Sequence, residues 1–174
     1  TFVVHYMSTH NPISEELQQK LDKARSSQKS LKKLKQKLTK VKPKELDASF
    51  HELHEEVFEE VDCLKCANCC KTTSPIFRDT DIERLAKHFR IKASEFVDKY
   101  LHLDHENDYV LNSSPCPFLG DDLYCSVYES RPKACREYPH TDRKNMTQIL
   151  GLTLKNTTVC PAVGEIMERL KEGY

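Results

Sequence analysis

The sequence predicts a mainly α-helical fold with minor β, in which an N-terminal antiparallel helical hairpin joins a small cysteine-rich domain. Three observations carry that prediction. Apolar residues recur at helical spacing from Leu17 to Val61. The charge of that stretch changes sign near Pro43, and all eight cysteines lie at or beyond Cys63. The expected organisation is a disordered or appended start over residues 1–10, a helical hairpin over 11–62 and a cysteine-cluster domain over 63–174.

Composition narrows the class. A chain of 174 residues suits one domain, or one domain with an extension. Its 38% hydrophobic and 31% charged content is more polar than an average globular domain, which fits an exposed helical part on a small core. The formal net charge is zero, so global charge gives no argument for nucleic acid or membrane. No apolar run approaches the ~20 residues that span a bilayer. Residues 1–6 lack the basic segment of a secretion signal. These features predict a cytoplasmic protein.

The first helix is expected over residues 11–42. Ser14 is a suitable N-cap, and Glu15 and Glu16 follow in the first turn. Leu17, Leu21, Ala24, Leu31, Leu34, Leu38 and Val41 form a narrow apolar row that Gln28 interrupts. Pro43 should end this helix. A second should run from about Leu46 to the cysteines, because Leu46, Phe50, Leu53, Val57 and Val61 make one stripe. Residues 11–42 carry ten Lys/Arg against three acids, and residues 43–62 carry eight acids against Lys44. Opposite signs favour antiparallel pairing of the two. The lysine run reads as a solvated face and not an RNA arm, since no aromatics interleave with it. Nucleic acid is therefore not expected, and residues 11–62 are a candidate surface for a protein partner. His51 and His54 read as surface histidines.

Further along, Thr80-Asp81-Ile82-Glu83 has the form of a capping box that opens a short helix. A second short helix is expected over about Ala93–Leu101. Tyr109-Val110-Leu111 reads as a strand, and Gly120-Asp121-Asp122 as the turn of a small hairpin with Cys116 and Cys125 near its open end. Arg131-Pro132 should start a helix through Tyr138. Pro161 sits where helices favour proline, at the first turn of the last one.

The cysteines carry the chemistry. Four fall within eight residues, Cys63-Leu-Lys-Cys66-Ala-Asn-Cys69-Cys70, and Cys116, Cys125, Cys135 and Cys160 follow singly. Core packing does not explain such a run. In a secreted chain, eight cysteines would suggest four bridges with 105 pairings. In a reducing cytoplasm the same density points to metal. If the preceding helix continues, Cys63, Cys66 and Cys70 share one face. If it breaks, the C-x2-C unit becomes a loop whose two thiolates grip one metal. Adjacent Cys69 and Cys70 point apart in most backbone conformations, so they could serve two metals, or one could be a non-ligand.

Several longer motifs surround these residues. They are Pro115-Cys116-Pro117-Phe118-Leu119, then Cys125-Ser-Val-Tyr128-Glu-Ser-Arg131-Pro132-Lys-Ala-Cys135-Arg136-Glu-Tyr138-Pro139, then Cys160-Pro161. With the Cys63–Cys70 run, they resemble the YkgJ-type cysteine-cluster family over about residues 60–165. That family carries a CxxCxxCC domain described as chelating zinc or iron through eight cysteines. A similar cluster occurs in the flagellin lysine methylase, which is associated with an iron–sulfur centre. The resemblance implies a metal set of Cys63, Cys66, Cys69, Cys70, Cys116, Cys125, Cys135 and Cys160. It leaves two mononuclear zinc or iron sites, or one iron–sulfur cluster, as the forms of the cofactor. Arg131 and Arg136 lie inside the motif and are candidates to stand behind the ligands, while Tyr128 and Tyr138 read as core aromatics. Three functional classes follow: a metal-binding protein with a partner surface, an iron–sulfur enzyme analogous to the methylase, and a thiol redox protein.

Overall fold

The computed structural model describes residues 13–174. The expected disordered start, residues 1–10, lies outside the described residues. Helices make up 62% of the structure and the β content is one small sheet, which is the predicted mainly α class with minor β.

The chain begins with α1 (Glu15–Ser26) and α2 (Gln28–Leu38). Ser14 caps α1 by accepting from the Leu17 N–H at 3.4 Å. The expected single helix over 11–42 is thus two helices, broken at Ser27. The residue that interrupts the apolar row explains the break. Gln28 donates from its side-chain amide to the Ala24 carbonyl (3.0 Å) and to Thr157 Oγ1 (2.8 Å), tying the junction to a distant loop. Pro43 begins α3 (Pro43–Glu60) at a position where its missing N–H costs nothing, and α2 has already ended at Leu38.

Two short helices carry the cysteine run, α4 (Cys63–Cys66) and α5 (Asn68–Thr72). Next come α6 (Asp79–Phe89), α7 (Ala93–Tyr100), β1 (Leu101–Leu103) and β2 (Tyr109–Leu111). The strands pair antiparallel with Leu101 opposite Leu111, and Phe77 bridges to Tyr109 beside them. The expected strand is therefore β2; its partner β1 occupies residues that follow directly on a helix. A Leu119–Cys125 bridge closes the expected hairpin around Gly120. The chain ends with α8 (Lys133–Glu137), α9 (Leu150–Asn156) and α10 (Pro161–Gly173).

The opening of α6 differs from the expected capping box. Arg78 is the N-cap residue, and Asp81 accepts from the Arg78 N–H at 3.2 Å. Thr80 is exposed inside the first turn.

Two apolar clusters share no residue. The first is helical. It unites Leu17, Leu31, Leu46, Phe50 and Val57 of α1–α3 with Val163, Ile166, Met167 and Leu170 of α10. Helix α10 packs against both α1 and α3. It also pairs with charges of both, Glu165 with Lys20 of α1 at 3.6 Å and Arg169 with acids of α3. Arg169 of α10 binds Glu60 at 2.8 Å and Glu56 at 3.5 Å on α3, whereas Lys20–Glu60 at 3.7 Å runs directly from α1 to α3. Lys29, Lys32, Lys33 and Lys37 of α2 are exposed. The second cluster joins α6, α7 and the sheet to Phe118 and Val127, with Phe89, Phe96, Tyr100 and Phe118 in mutual ring contact.

Candidate metal centre

Helix α3 does not run on into the cysteines. Val61 and Asp62 are extended, and Asp62 recaps the chain by accepting from the Leu64 N–H at 2.9 Å. After one turn Ala67 takes a left-handed conformation (φ 47°) and separates α4 from α5. An L-residue pays about 1–2 kcal/mol for that conformation. The two breaks replace a single helical face with a folded C-x2-C unit, so Cys66 turns inward and is buried while Cys63 stays exposed.

All eight cysteines are free thiols. Cavity lining and mutual electrostatics gather them into two groups that meet at Cys70. Cys160 is affected by Cys63 and Cys66, and Cys69 by Cys160 and Cys63. Cys63, Cys66, Cys69 and Cys160 also line one small cavity of ≈ 30 Å³, together with Tyr138. Cys116 is affected by Cys70 and Cys125, and Cys135 by Cys70, Cys116 and Cys125. Cys70 links the groups: its sulfur lies 4.0 Å from that of Cys69, and it also acts on Cys63 and Cys66. The groups follow the two cores. Cys66 and Cys160 belong to the helical cluster, whereas Cys116 and Cys125 pack against the second. The Cys116 N–H donates to the Cys70 carbonyl at 2.8 Å, which brings the hairpin to the end of α5.

Most of these thiols are held protonated. Burial pushes Cys116 up to about 11, and Cys135 and Cys160 to about 12. Cys63 is exposed as a residue, yet the protein around its sulfur pushes it up to about 11. The coupled pair splits. Cys69 is raised and Cys70 lowered by the hydrogen bond between them, and the charges of Arg131 and Lys71 lower Cys70 further.

Backbone amides oppose the burial. The Asn68 N–H donates to Cys66, Phe118 and Leu119 to Cys116, Val127 to Cys125, and Ala162 and Val163 to Cys160. In each case a donor stands two residues after the sulfur. This loop chemistry stabilises a thiolate.

The cations divide unevenly. Arg131 acts on Cys70, Cys125 and Cys135, and it stacks 3.3 Å above the exposed Tyr128 ring while donating to the Tyr128 carbonyl. Arg136 is exposed on α8. Lys65 pairs with Asp62 and Lys133 with Glu137. Of the two tyrosines expected in the core, Tyr138 packs against the helical cluster, but Tyr128 is 39% exposed and serves as the platform for Arg131. His51 and His54 contact the Arg143 carbonyl and Thr141 Oγ1, fastening the 141–143 loop to α3 away from the thiols.

Among the described residues, no group of three or more His, Cys, Asp or Glu side chains stands ready-made around one point for a metal ion. The donor chemistry nevertheless fits one. Each group offers four soft sulfurs, the number that zinc or an iron–sulfur centre takes. A cysteine has one side-chain torsion with three staggered wells, so its sulfur can be redirected without moving the backbone. The ≈ 30 Å³ cavity exceeds the roughly 10–15 Å³ that a water-sized guest needs.

The family model CxxCxxCC, "Putative zinc- or iron-chelating domain", matches residues 62–161. The chain belongs to this family. The match spans all eight cysteines and more than half of the sequence. No curated protein and no solved structure matches the chain. Among the described residues, no helix is long and apolar enough to cross a membrane.

Proposed function

We propose that this member of the zinc- or iron-chelating family holds metal in two four-thiolate sites. One takes Cys63, Cys66, Cys69 and Cys160; the other takes Cys70, Cys116, Cys125 and Cys135. The observation that carries the reading is the gathering of Cys63, Cys66, Cys69 and Cys160 around one cavity, with Cys116 and Cys125 packed on the other core and Cys70 between the two groups. The N–H donors two residues after Cys66, Cys116, Cys125 and Cys160 support it, two in each group.

A bound zinc would supply a cross-link and charge, and an iron–sulfur centre would add one-electron chemistry. The chain's own groups prepare for either. Four thiolates around a divalent cation leave a formal charge of about −2. Arg131 offsets it at the second site, and Lys71 acts on Cys66 of the first as well as on Cys70 of the second. A reducing cytoplasmic setting belongs to this reading, because it keeps the thiols available. So does a protein partner for the helical segment 11–62, whose Lys29, Lys32, Lys33 and Lys37 on α2 are exposed and form no ion pair with α3 among the described residues.

The test is metal and acid-labile sulfide content of protein purified without oxygen, with Cys160→Ser and Cys135→Ser beside it. The expected result is two metal equivalents in the wild type and loss of about one in each variant. Loss of all metal from either single variant would mean one eight-cysteine cluster. Full retention in a variant would remove that cysteine from the ligands.

A further inference from the structure

Tyr138 stands out among the residues of the first site. Its hydroxyl is buried and has no hydrogen-bond partner. Native proteins leave few buried polar atoms in that state, because each one costs a lost hydrogen bond. The ring lines the same cavity as Cys63, Cys66, Cys69 and Cys160. A tyrosine hydroxyl keeps its proton at neutral pH. It is therefore a donor facing weak acceptors, since a neutral thiol accepts poorly. A thiolate on a cation is a charged acceptor, and hydrogen bonds to charged groups are roughly twice as strong.

We propose that Tyr138 is a positioning residue for the first metal site: its hydroxyl donates to one of the cysteine sulfurs once that sulfur is a metal-bound thiolate. The proposal rests on the two-site reading above. It gives the first site a donor that carries no charge, where the second site has Arg131. It also accounts for an unpartnered hydroxyl beside the helical core, because metal binding is the event that supplies its acceptor.

The signature is a change of sign between the two states. In metal-free protein, Tyr138→Phe removes an unsatisfied hydroxyl, so the thermal midpoint should match or exceed that of the wild type. In loaded protein it removes a donor to a ligand, and outer hydrogen bonds of this kind typically govern metal affinity by 10–100-fold. The experiment titrates metal-free wild type and Tyr138→Phe with cobalt(II), against a competing chelator. The expected result is two equivalents in both proteins, one of them bound about 10-fold more weakly in the variant. The sulfur-to-cobalt charge-transfer band of that site should also move. Equal affinities with an unchanged band would overturn the role of Tyr138 and leave the two sites standing. A wild type that binds no cobalt would overturn both. A second measurement needs no variant: in 113Cd-loaded wild type, the Tyr138 hydroxyl proton should exchange slowly and couple to one cadmium. An uncoupled, rapidly exchanging proton would count against the proposal even if the variant failed to fold.

Discussion

Asp81 shows how one residue can join parts of the chain that lie far apart in sequence. It is 1% exposed, caps α6 through the Arg78 N–H, accepts from the Lys133 N–H at 3.1 Å and pairs with Arg84. Arg84 in turn donates to the Ser130 and Arg131 carbonyls. The carboxylate therefore anchors the segment that presents Arg131 and Cys135. Burial pushes its carboxyl up, but the bonds from Arg84, Arg78 and Lys133 outweigh this and hold it below the ordinary value. A carboxylate lowered in the folded state stabilises above its unfolded value of about 3.9, and that contribution is lost as pH falls through the folded value. Asp81→Asn should cost about 1–3 kcal/mol at pH 7, since it weakens the acceptor for buried donors. The deficit should already be smaller at pH 3, below the unfolded value of about 3.9, where the unfolded chain takes up the proton. Urea midpoints of both proteins without metal at the two pH values check this, and a deficit independent of pH would show that charge is not what Asp81 contributes.

Among the elements, α10 is the least replaceable. Gly164 lets it approach α1, because a Cβ there would sit 2.8 Å from the Ala24 Cβ. Alanine in a helix would gain roughly 1 kcal/mol in propensity over glycine. Overpacking a close contact typically costs about 1–3 kcal/mol. The net effect of Gly164→Ala should therefore be a destabilisation of up to about 2 kcal/mol in denaturant unfolding, and Ala24→Gly should cost less beside it than in the wild type. A stabilising Gly164→Ala would mean that the two helices can move apart freely. The same helix shows how far the sequence could be read. Its start at Pro161 and its apolar face were legible, as were the apolar stripes of α3, α6 and α7, although α3 and α6 begin earlier than expected, at Pro43 and Asp79. Its position against both α1 and α3 was not, since periodicity gives a buried face and not the partner that covers it. The break at Ser27 was half legible in Gln28, whose role needed Thr157, 129 residues away. At the candidate site all eight cysteines were legible from spacing and motif. Their division into two groups was not, because it depends on the left-handed turn at Ala67. Tyr138 was visible only as an aromatic residue inside the motif, and its unpartnered hydroxyl is a property of the fold.

Across the whole molecule, two cores that share no apolar residue are joined through residues 63–72. The helical core has the longer helices α1, α2 and α3 around α10 and many fully buried side chains, so apolar burial can hold it together. The region between β2 and α8 is different. Residues 112–132 contain one 3₁₀ turn, Tyr128–Ser130, and the single Leu119–Cys125 bridge. Such a segment has little regular hydrogen bonding to resist opening. It carries Cys116 and Cys125, with Cys135 just beyond. In the two-site reading, metal there closes a loop of 66 residues from Cys70 to Cys135, and metal binding energy becomes folding energy. Stripping the metal should therefore act unevenly. Amide exchange should accelerate most over residues 112–135, and least in the middle of α1, α3 and α10. Hydrogen exchange read by mass spectrometry, with and without a strong chelator, measures this directly. Uniform acceleration would mean that the helical core depends on metal as much as the hairpin does, and the Cys63–Cys160 site would then be the one that holds the molecule together.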